Sequence, residues 1–292
     1  MLLKQPLAFY SESLAGVDRE ELQGKLIVIE GPDSVGRSTQ VVRLRTCLEH
    51  QGHAVLDTGM TRSHLAGDGI RRAKEGNNLG RVTQSLFYAT DFVDRLENEM
   101  IPALRAGFIV LTDRYIYSLM ARAIVRGMDP VWIRGIYSAA LVPDAVFYLR
   151  LDVEQLIPRV IFSRGFDYWE SGMDVFPGQD MYENFRSYQT ALLAEFDRLS
   201  VEFNFETLDA STDAKLVFAQ LQAKVQRVLE ADSRRTYLAR MFEQPAAHST
   251  ARIEERPVTL PRETASRQID WAFHPVASNL SPSNGRNIPG HK

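Results

Sequence analysis

Residues 31–39 read Gly-Pro-Asp-Ser-Val-Gly-Arg-Ser-Thr, and this nonapeptide restricts what the chain can fold into more than any other stretch. Gly31, four residues, Gly36, a cation and Ser38 have the spacing of a phosphate-cradling P-loop. In such a loop backbone N–H groups wrap phosphates and the hydroxyl reaches Mg²⁺. The loop requires a buried strand leading in and a helix leading out, with the helix N-terminus adding partial positive charge to the anion site. Both flanks are present. Residues 25–29 (Lys-Leu-Ile-Val-Ile) form a β-branched run suited to a strand covered on both faces, and Val41, Leu44 and Leu48 then recur at helical spacing until Gly52. One fixed position departs, because Arg37 stands where the motif carries lysine.

Four further strand candidates occupy residues 54–58, 108–112, 145–151 and 203–208, separated by helical patterns. Alternation of this kind predicts an α/β fold of the P-loop NTPase type. The expected architecture is a five-stranded parallel sheet flanked by helices on both faces, with ligands at the carboxyl ends of the strands and a short lid segment. Between the second and third strands, Leu86, Ala89, Val93, Leu96, Met100 and Leu104 predict one long buried helix, with Tyr88, Phe92 and Arg95 on another face. The expected organisation is an N-terminal extension at 1–24, a nucleotide-handling domain at 25–231 and a partly flexible C-terminal extension at 232–292. In that last segment residues 269–273 (Ile-Asp-Trp-Ala-Phe) are the one apolar cluster, read as docking on the chain's own domain in preference to binding a partner.

Composition narrows the partners. A formal charge of −3 gives no general attraction to nucleic acid or to an anionic membrane, so any nucleotide binding is local. Cys47 is the single cysteine, which excludes an internal disulfide, and its helical position reads as a small buried hydrophobe. Charges at Lys4, Glu12, Asp18 and Arg19 interrupt the apolar residues of the N-terminus, and no run reaches transmembrane length. A cytoplasmic location is the expectation.

The remaining chemistry gathers at strand ends. Asp113-Arg114-Tyr115 follows the third strand, where a carboxylate can reach Mg²⁺ and a guanidinium can fork onto phosphate. An acid beside a base is also a common structural ion pair; the strand-end position favours function. Asp33 inside the loop faces phosphates at a cost unless an arginine, a metal or a sugar hydroxyl offsets it. After the fourth strand Asp152 reads as a helix cap with Gln155 in capping-box position, and Pro158 is expected to disturb that helix early. Arg159 and Arg164 then lead into residues 165–172, whose glycines, aromatics and charges suit a mobile lid, the alternative being a surface loop with solvated arginines.

Together these residues resemble the thymidylate kinase family of P-loop nucleoside monophosphate kinases. The resemblance covers about residues 25–230 and rests on the segment 30–40, Thr61-Arg62, Asp113-Arg114-Tyr115 with Ser118, Pro143-Asp144, Leu151-Asp152-Val153 and Leu208-Asp209-Ala210-Ser211. It implies transfer of the γ-phosphate of ATP to a nucleoside monophosphate, dTMP first, with ATP and Mg²⁺ required. Gly31, Ser34, Val35, Gly36, Arg37, Ser38, Thr39 and Ala210 would hold ATP, with Ser38 and Asp113 on the metal. Asp33, Arg37, Arg114 and Arg164 would be catalytic. The acceptor would meet Asp33, Arg62, Tyr88, Phe92, Arg95, Arg114, Tyr115 and Arg122, and a homodimer through the long helix is a further implication.

Three departures from the family pattern bear on function. Arg37 replaces lysine, Phe92 stands where a base-reading arginine is expected, with Arg95 one turn on, and Leu119 and Arg122 replace small polar and tyrosine residues beside the acceptor. They keep two other readings open: a kinase with a different acceptor, another deoxynucleotide or polyphosphate, and a nucleotide-binding module weakened in catalysis.

Overall fold

The strand that feeds the loop, β1 (Lys25–Glu30), is buried along nearly its whole length and lies at the centre of a sheet with β2 (Val55–Gly59), β3 (Ile109–Asp113), β4 (Ala145–Arg150) and β5 (Glu206–Asp209). The order is β2-β3-β1-β4-β5 and every pairing is parallel, with Ile29 opposite both Asp113 and Phe147. In this computed structural model residues 7–230 are described, apart from positions 12, 77, 78, 177 and 179. The expected C-terminal extension and its cluster at 269–273 lie outside the described residues.

Successive strand residues point to opposite faces, and the two apolar cores separate accordingly. Leu26, Val28, Val110, Val146 and Tyr148 join one cluster; Ile27, Ile29, Leu111, Phe147 and Leu149 join the other. The first face is covered by α3 (Arg81–Arg95), α5 (Ile116–Val125) and α8 (Met181–Glu202). The second is covered by α1 (Arg37–His50), α7 (Val153–Ser163) and α9 (Ala214–Glu230). Shorter helices α2 (Gly67–Glu75), α4 (Ile101–Arg105) and α6 (Pro130–Ile136) complete the connections. The N-terminal segment packs on the first core, with Leu7 and Leu22 buried and Phe9 bridged to Leu141.

The helix expected between the second and third strands is interrupted by a π-helical turn, Leu96–Met100. A π turn adds about one residue to the winding and rotates everything before it relative to the 3.6-residue pattern. The buried face of α3 is therefore Ser85, Tyr88, Ala89, Phe92 and Arg95, while Leu86 is 48% exposed. Tyr88, Phe92 and Arg95 lie toward the core, not on a separate face.

Other local expectations change as well. α7 continues through Pro158, which is exposed, to Ser163. Asp152 stands at its N-cap, but the carboxylate goes to Arg150 Nη1 at 2.8 Å instead of capping. β5 starts at Glu206, because α8 runs through Glu202 and Phe203 closes it. Cys47 is half-buried and its Sγ accepts from Gln222 Nε2 at 3.0 Å.

Candidate active site

The turn from β1 to α1 needs glycine at its first position. A Cβ on Gly31 would come within 2.7 Å of the Leu149 carbonyl oxygen of the adjacent strand, so the loop can pass the sheet edge only without a side chain. Gly36 (φ 106) then sets the entry to α1, whose first-turn residues Arg37, Ser38 and Thr39 border a cavity of about 460 Å³. The helix N-terminus is thereby aimed at the cavity.

Arg37 borders this space, but its guanidinium is bonded back onto the protein. Its Nε donates to Asp113 Oδ1 at 2.8 Å, Nη1 donates to the carbonyls of Gly31 and Pro32, and Nη2 lies 3.7 Å from Asp33. Asp113 closes β3 and accepts a second bond through Oδ2, from Ser38 Oγ at 2.8 Å. The planar guanidinium thus staples the loop from beneath.

Asp33 is 2% exposed and sits between arginines. One oxygen takes Arg114 Nη2 and the other takes Arg122 Nη2. Arg114 occupies a left-handed backbone position (φ 72), its N–H bonded to the Ile29 carbonyl at 3.0 Å, which turns the chain from β3 into α5. Burial, and secondarily Arg122, push the Arg114 guanidinium down to about 9. The carboxylate clamped between the two cations is the counter-charge that offsets this repulsion. Glu30, at the end of β1, holds the start of α5 by accepting from the N–H groups of Tyr115 at 2.9 Å and Ser118 at 3.2 Å.

The far wall comes from the C-terminal half of α7 and the residues that follow it. Arg159 donates to the carbonyl of Val35 at 3.1 Å and that of Ala210 at 2.7 Å, tying the loop to the segment after β5. Arg164 pairs with Glu170 at 2.6 Å. The stretch expected to act as a lid is anchored by Trp169, whose Nε1 donates to the Lys74 carbonyl at 2.9 Å and whose own carbonyl accepts from Arg126 at 2.8 Å. The lining of the large cavity thus carries six cations, Arg37, Lys74, Arg114, Arg122, Arg159 and Arg164, against the two carboxylates Asp33 and Glu170. This balance suits a ligand with several negative charges.

The cavity brings together Asp33, Ser34, Gly36, Arg37, Ser38, Thr39, Tyr88, Arg114, Arg122 and Arg164 from the expected set. Gly31 and Val35 are buried within the loop and do not line the cavity, Asp113 lies beneath the loop, and Ala210 is held behind it by Arg159. Arg62 is turned away, paired with Asp57 at 2.8 Å. Phe92 and Tyr115 pack edge-on at 5.3 Å inside the core, and the Tyr115 hydroxyl donates to the Leu141 carbonyl. Arg95 is 1% exposed and bonds Asp91 at 3.1 Å, while Asp91 accepts from the N–H groups of Thr61 and Ser63. Arg95 therefore shapes the loop after β2 through Asp91 and does not reach the cavity, contrary to its expected contact with the acceptor.

Lys74 was missed from sequence. Ile70 is buried, so Lys74 one turn on lies on the inward side of α2, and a lysine at that spacing from an apolar anchor is the signal that points to it. Burial lowers its ammonium below the ordinary lysine value and Arg122 adds to this, while Asp167 and Glu170 oppose it.

Comparison with known proteins agrees with this geometry. The model of the family described as "Thymidylate kinase" matches residues 29–220. A protein named "Probable thymidylate kinase 2" from Saccharolobus solfataricus is 34% identical over 210 residues, 71% of this chain and 96% of that protein. A "Thymidylate kinase" from Brachyspira hyodysenteriae is 27% identical over 73% of this chain and 99% of its own length, and one from Bifidobacterium longum subsp. infantis is 31% identical over 71% and 88%. With a P-loop on the central strand of a parallel sheet, arginines converging on Asp33, and a family match spanning all of these positions, the chain belongs to the thymidylate kinase family, enzymes that phosphorylate a nucleoside monophosphate.

Proposed function

We propose that the chain transfers the γ-phosphate of ATP to dTMP, giving dTDP and ADP. The observation that carries this reading is the single cavity in which the loop and the first turn of α1 form one wall while Asp33, Tyr88, Arg114 and Arg122 form the other. A donor on the loop and an acceptor on the opposite wall would meet across it in line. Phosphoryl transfer asks mainly for such positioning and for stabilisation of charge on the migrating group.

Each group has a role in this reading. The loop backbone and the α1 N-terminus hold the donor phosphates. Ser38 Oγ and Asp113 Oδ2, 2.8 Å apart, are hard oxygen donors of the kind Mg²⁺ takes alongside substrate phosphates, and they would hold the ion. When bound, the ion neutralises charge on the transferring phosphates. Arg114 and Arg122 face the acceptor phosphate, with Asp33 fixing their spacing and available to a sugar hydroxyl. Arg164 approaches from the far wall and stabilises the migrating group once freed from Glu170. An acceptor phosphate is already nucleophilic, so no strong general base is required.

The test is a panel of nucleoside monophosphates assayed for initial rate with ATP and Mg²⁺. dTMP is expected to give the highest kcat/KM. Preference for another monophosphate moves the acceptor, in keeping with Leu119 and Arg122 at the site. Absence of transfer to any acceptor, with ATP still raising Tm, makes the chain a binding module.

A further inference from the structure

Five of the six cations lining the large cavity already have an acceptor within the protein. Arg37 has Asp113, Arg114 and Arg122 share Asp33, Arg159 has two loop carbonyls and Arg164 has Glu170. The sixth, Lys74, is turned inward from α2 and its ammonium makes no hydrogen bond or ion pair among the described residues. A lysine held in partial burial with no direct acceptor, the carboxylates of Asp167 and Glu170 acting on it only without contact, gains from a ligand that supplies one.

The position of Lys74 indicates which part of a ligand that is. The loop residues line only the large cavity, whereas Lys74, Tyr88 and Arg122 also line an adjoining recess of about 20 Å³. Tyr88, Tyr137 and Trp169 flank this recess, Gln84 and Ser85 lie on its wall, and no carboxylate lines it among the described residues. A space of that size accommodates one polar atom or one water. The aromatic rings suit the edge of a base, and the cations suit an oxygen acceptor while opposing an amino group.

We propose that Lys74 determines acceptor specificity by donating to the C4 carbonyl oxygen of the acceptor's pyrimidine base at the mouth of this recess, the position where cytosine carries an amino group. The inference rests on the nucleoside monophosphate reading above and adds the group that separates oxo-pyrimidines from amino-pyrimidines. Lys74 takes this part from a different helix than the one carrying Phe92.

The experiment measures Kd for dTMP, dUMP and dCMP by calorimetry without ATP, and kcat/KM for the same three with ATP and Mg²⁺, in the wild type, Lys74→Met and Lys74→Arg. Since Lys74 has no partner to orphan, both variants are expected to fold. Lys74→Met should weaken dTMP and dUMP by roughly tenfold to a hundredfold, the range of one hydrogen bond to a charged group, and leave dCMP nearly unchanged. Lys74→Arg should restore part of the selectivity. An equal loss for all three, as expected of a phosphate contact, an unchanged dTMP to dCMP ratio, or no binding of dTMP by the wild type overturns the proposal. Failure of the kinase reading shows separately, as wild-type binding of dTMP without transfer.

Discussion

Arg37 Nε donates to Asp113 Oδ1 at 2.8 Å, and Ser38 Oγ donates to the other oxygen of the same carboxylate at 2.8 Å. The guanidinium is 5% exposed and also bonds the carbonyls of Gly31 and Pro32. Replacing lysine by arginine at this position therefore does more than lengthen a phosphate contact. It moves the cation under the loop and places it on the carboxylate proposed to hold Mg²⁺, so a metal bound there would compete with Arg37 for Asp113.

Arg37→Lys should give ATP-dependent transfer at an equal or higher rate and a lower half-saturating Mg²⁺ concentration. A compact ammonium can leave Asp113 for the phosphates, which the fork cannot do without abandoning three bonds. Arg37→Ala should be slower than both, on the order of a hundredfold, and less stable by about 3 kcal/mol, because Asp113 loses its buried partner. Mg²⁺ titrations of the initial rate, with urea unfolding of each form, measure both effects. An Mg²⁺ requirement identical in the wild type and Arg37→Lys would show that the pair does not compete with the metal.

Asp33 performs a corresponding task between Arg114 and Arg122. Asp33→Asn removes the only carboxylate seen between Arg114 and Arg122 among the described residues and should cost about 3–5 kcal/mol, since two partly buried guanidiniums then face each other. Inorganic phosphate should restore more stability to this variant than to the wild type by supplying the missing anion. Thermal melts across a phosphate series check this. Equal protection of both forms would place the anion elsewhere.

The legible parts of this protein were those governed by short-range rules. A β-branched run, a glycine spacing and a helical stripe are properties of neighbouring residues, so the loop, the five parallel strands and the strand-end positions of Asp113 and Arg114 could be read directly. The face of α3 could not, because the π turn at Leu96–Met100 shifts register and nothing local in Leu-Glu-Asn-Glu-Met announces it. Long-range pairings were equally hidden. Arg122 reaches Asp33 across 89 positions, Arg159 reaches Val35 across 124, and Lys74 gains its place only when α2 folds against Trp169.

Arg95 is a second place where geometry redirects expectation. Arg95→Met should lower stability by about 3 kcal/mol, because Asp91 would keep its two backbone donors and lose its buried cation. The ratio of kcat/KM between dTMP and dCMP should not change. Chemical denaturation combined with the two-substrate ratio separates these outcomes, and a changed ratio in a variant of undiminished stability would mean that Arg95 touches the acceptor after all.

Glu30 couples stability to pH at the same site. Its side chain is fully buried, accepting from Tyr115 N, Ser118 N and, at 2.5 Å, Ser118 Oγ. Burial raises its carboxyl above 4.5, with the Ser118 and Tyr115 hydrogen bonds only partly opposing. The unfolded chain releases this proton near 4.5 and the folded chain holds it to higher pH. The contribution to stability is therefore full below the unfolded value and is lost as pH rises through the folded one. Glu30→Gln retains acceptors for both N–H groups and cannot titrate. The stability of the wild type relative to this variant should decline as pH rises above the unfolded value of 4.5 in urea unfolding series. Ser118 lies one turn before Arg122 on α5, so loosening this anchor at high pH should also raise KM for the acceptor in the wild type more than in Glu30→Gln. A stability difference independent of pH would show that the carboxyl is ionised throughout and that its three donors outweigh its burial.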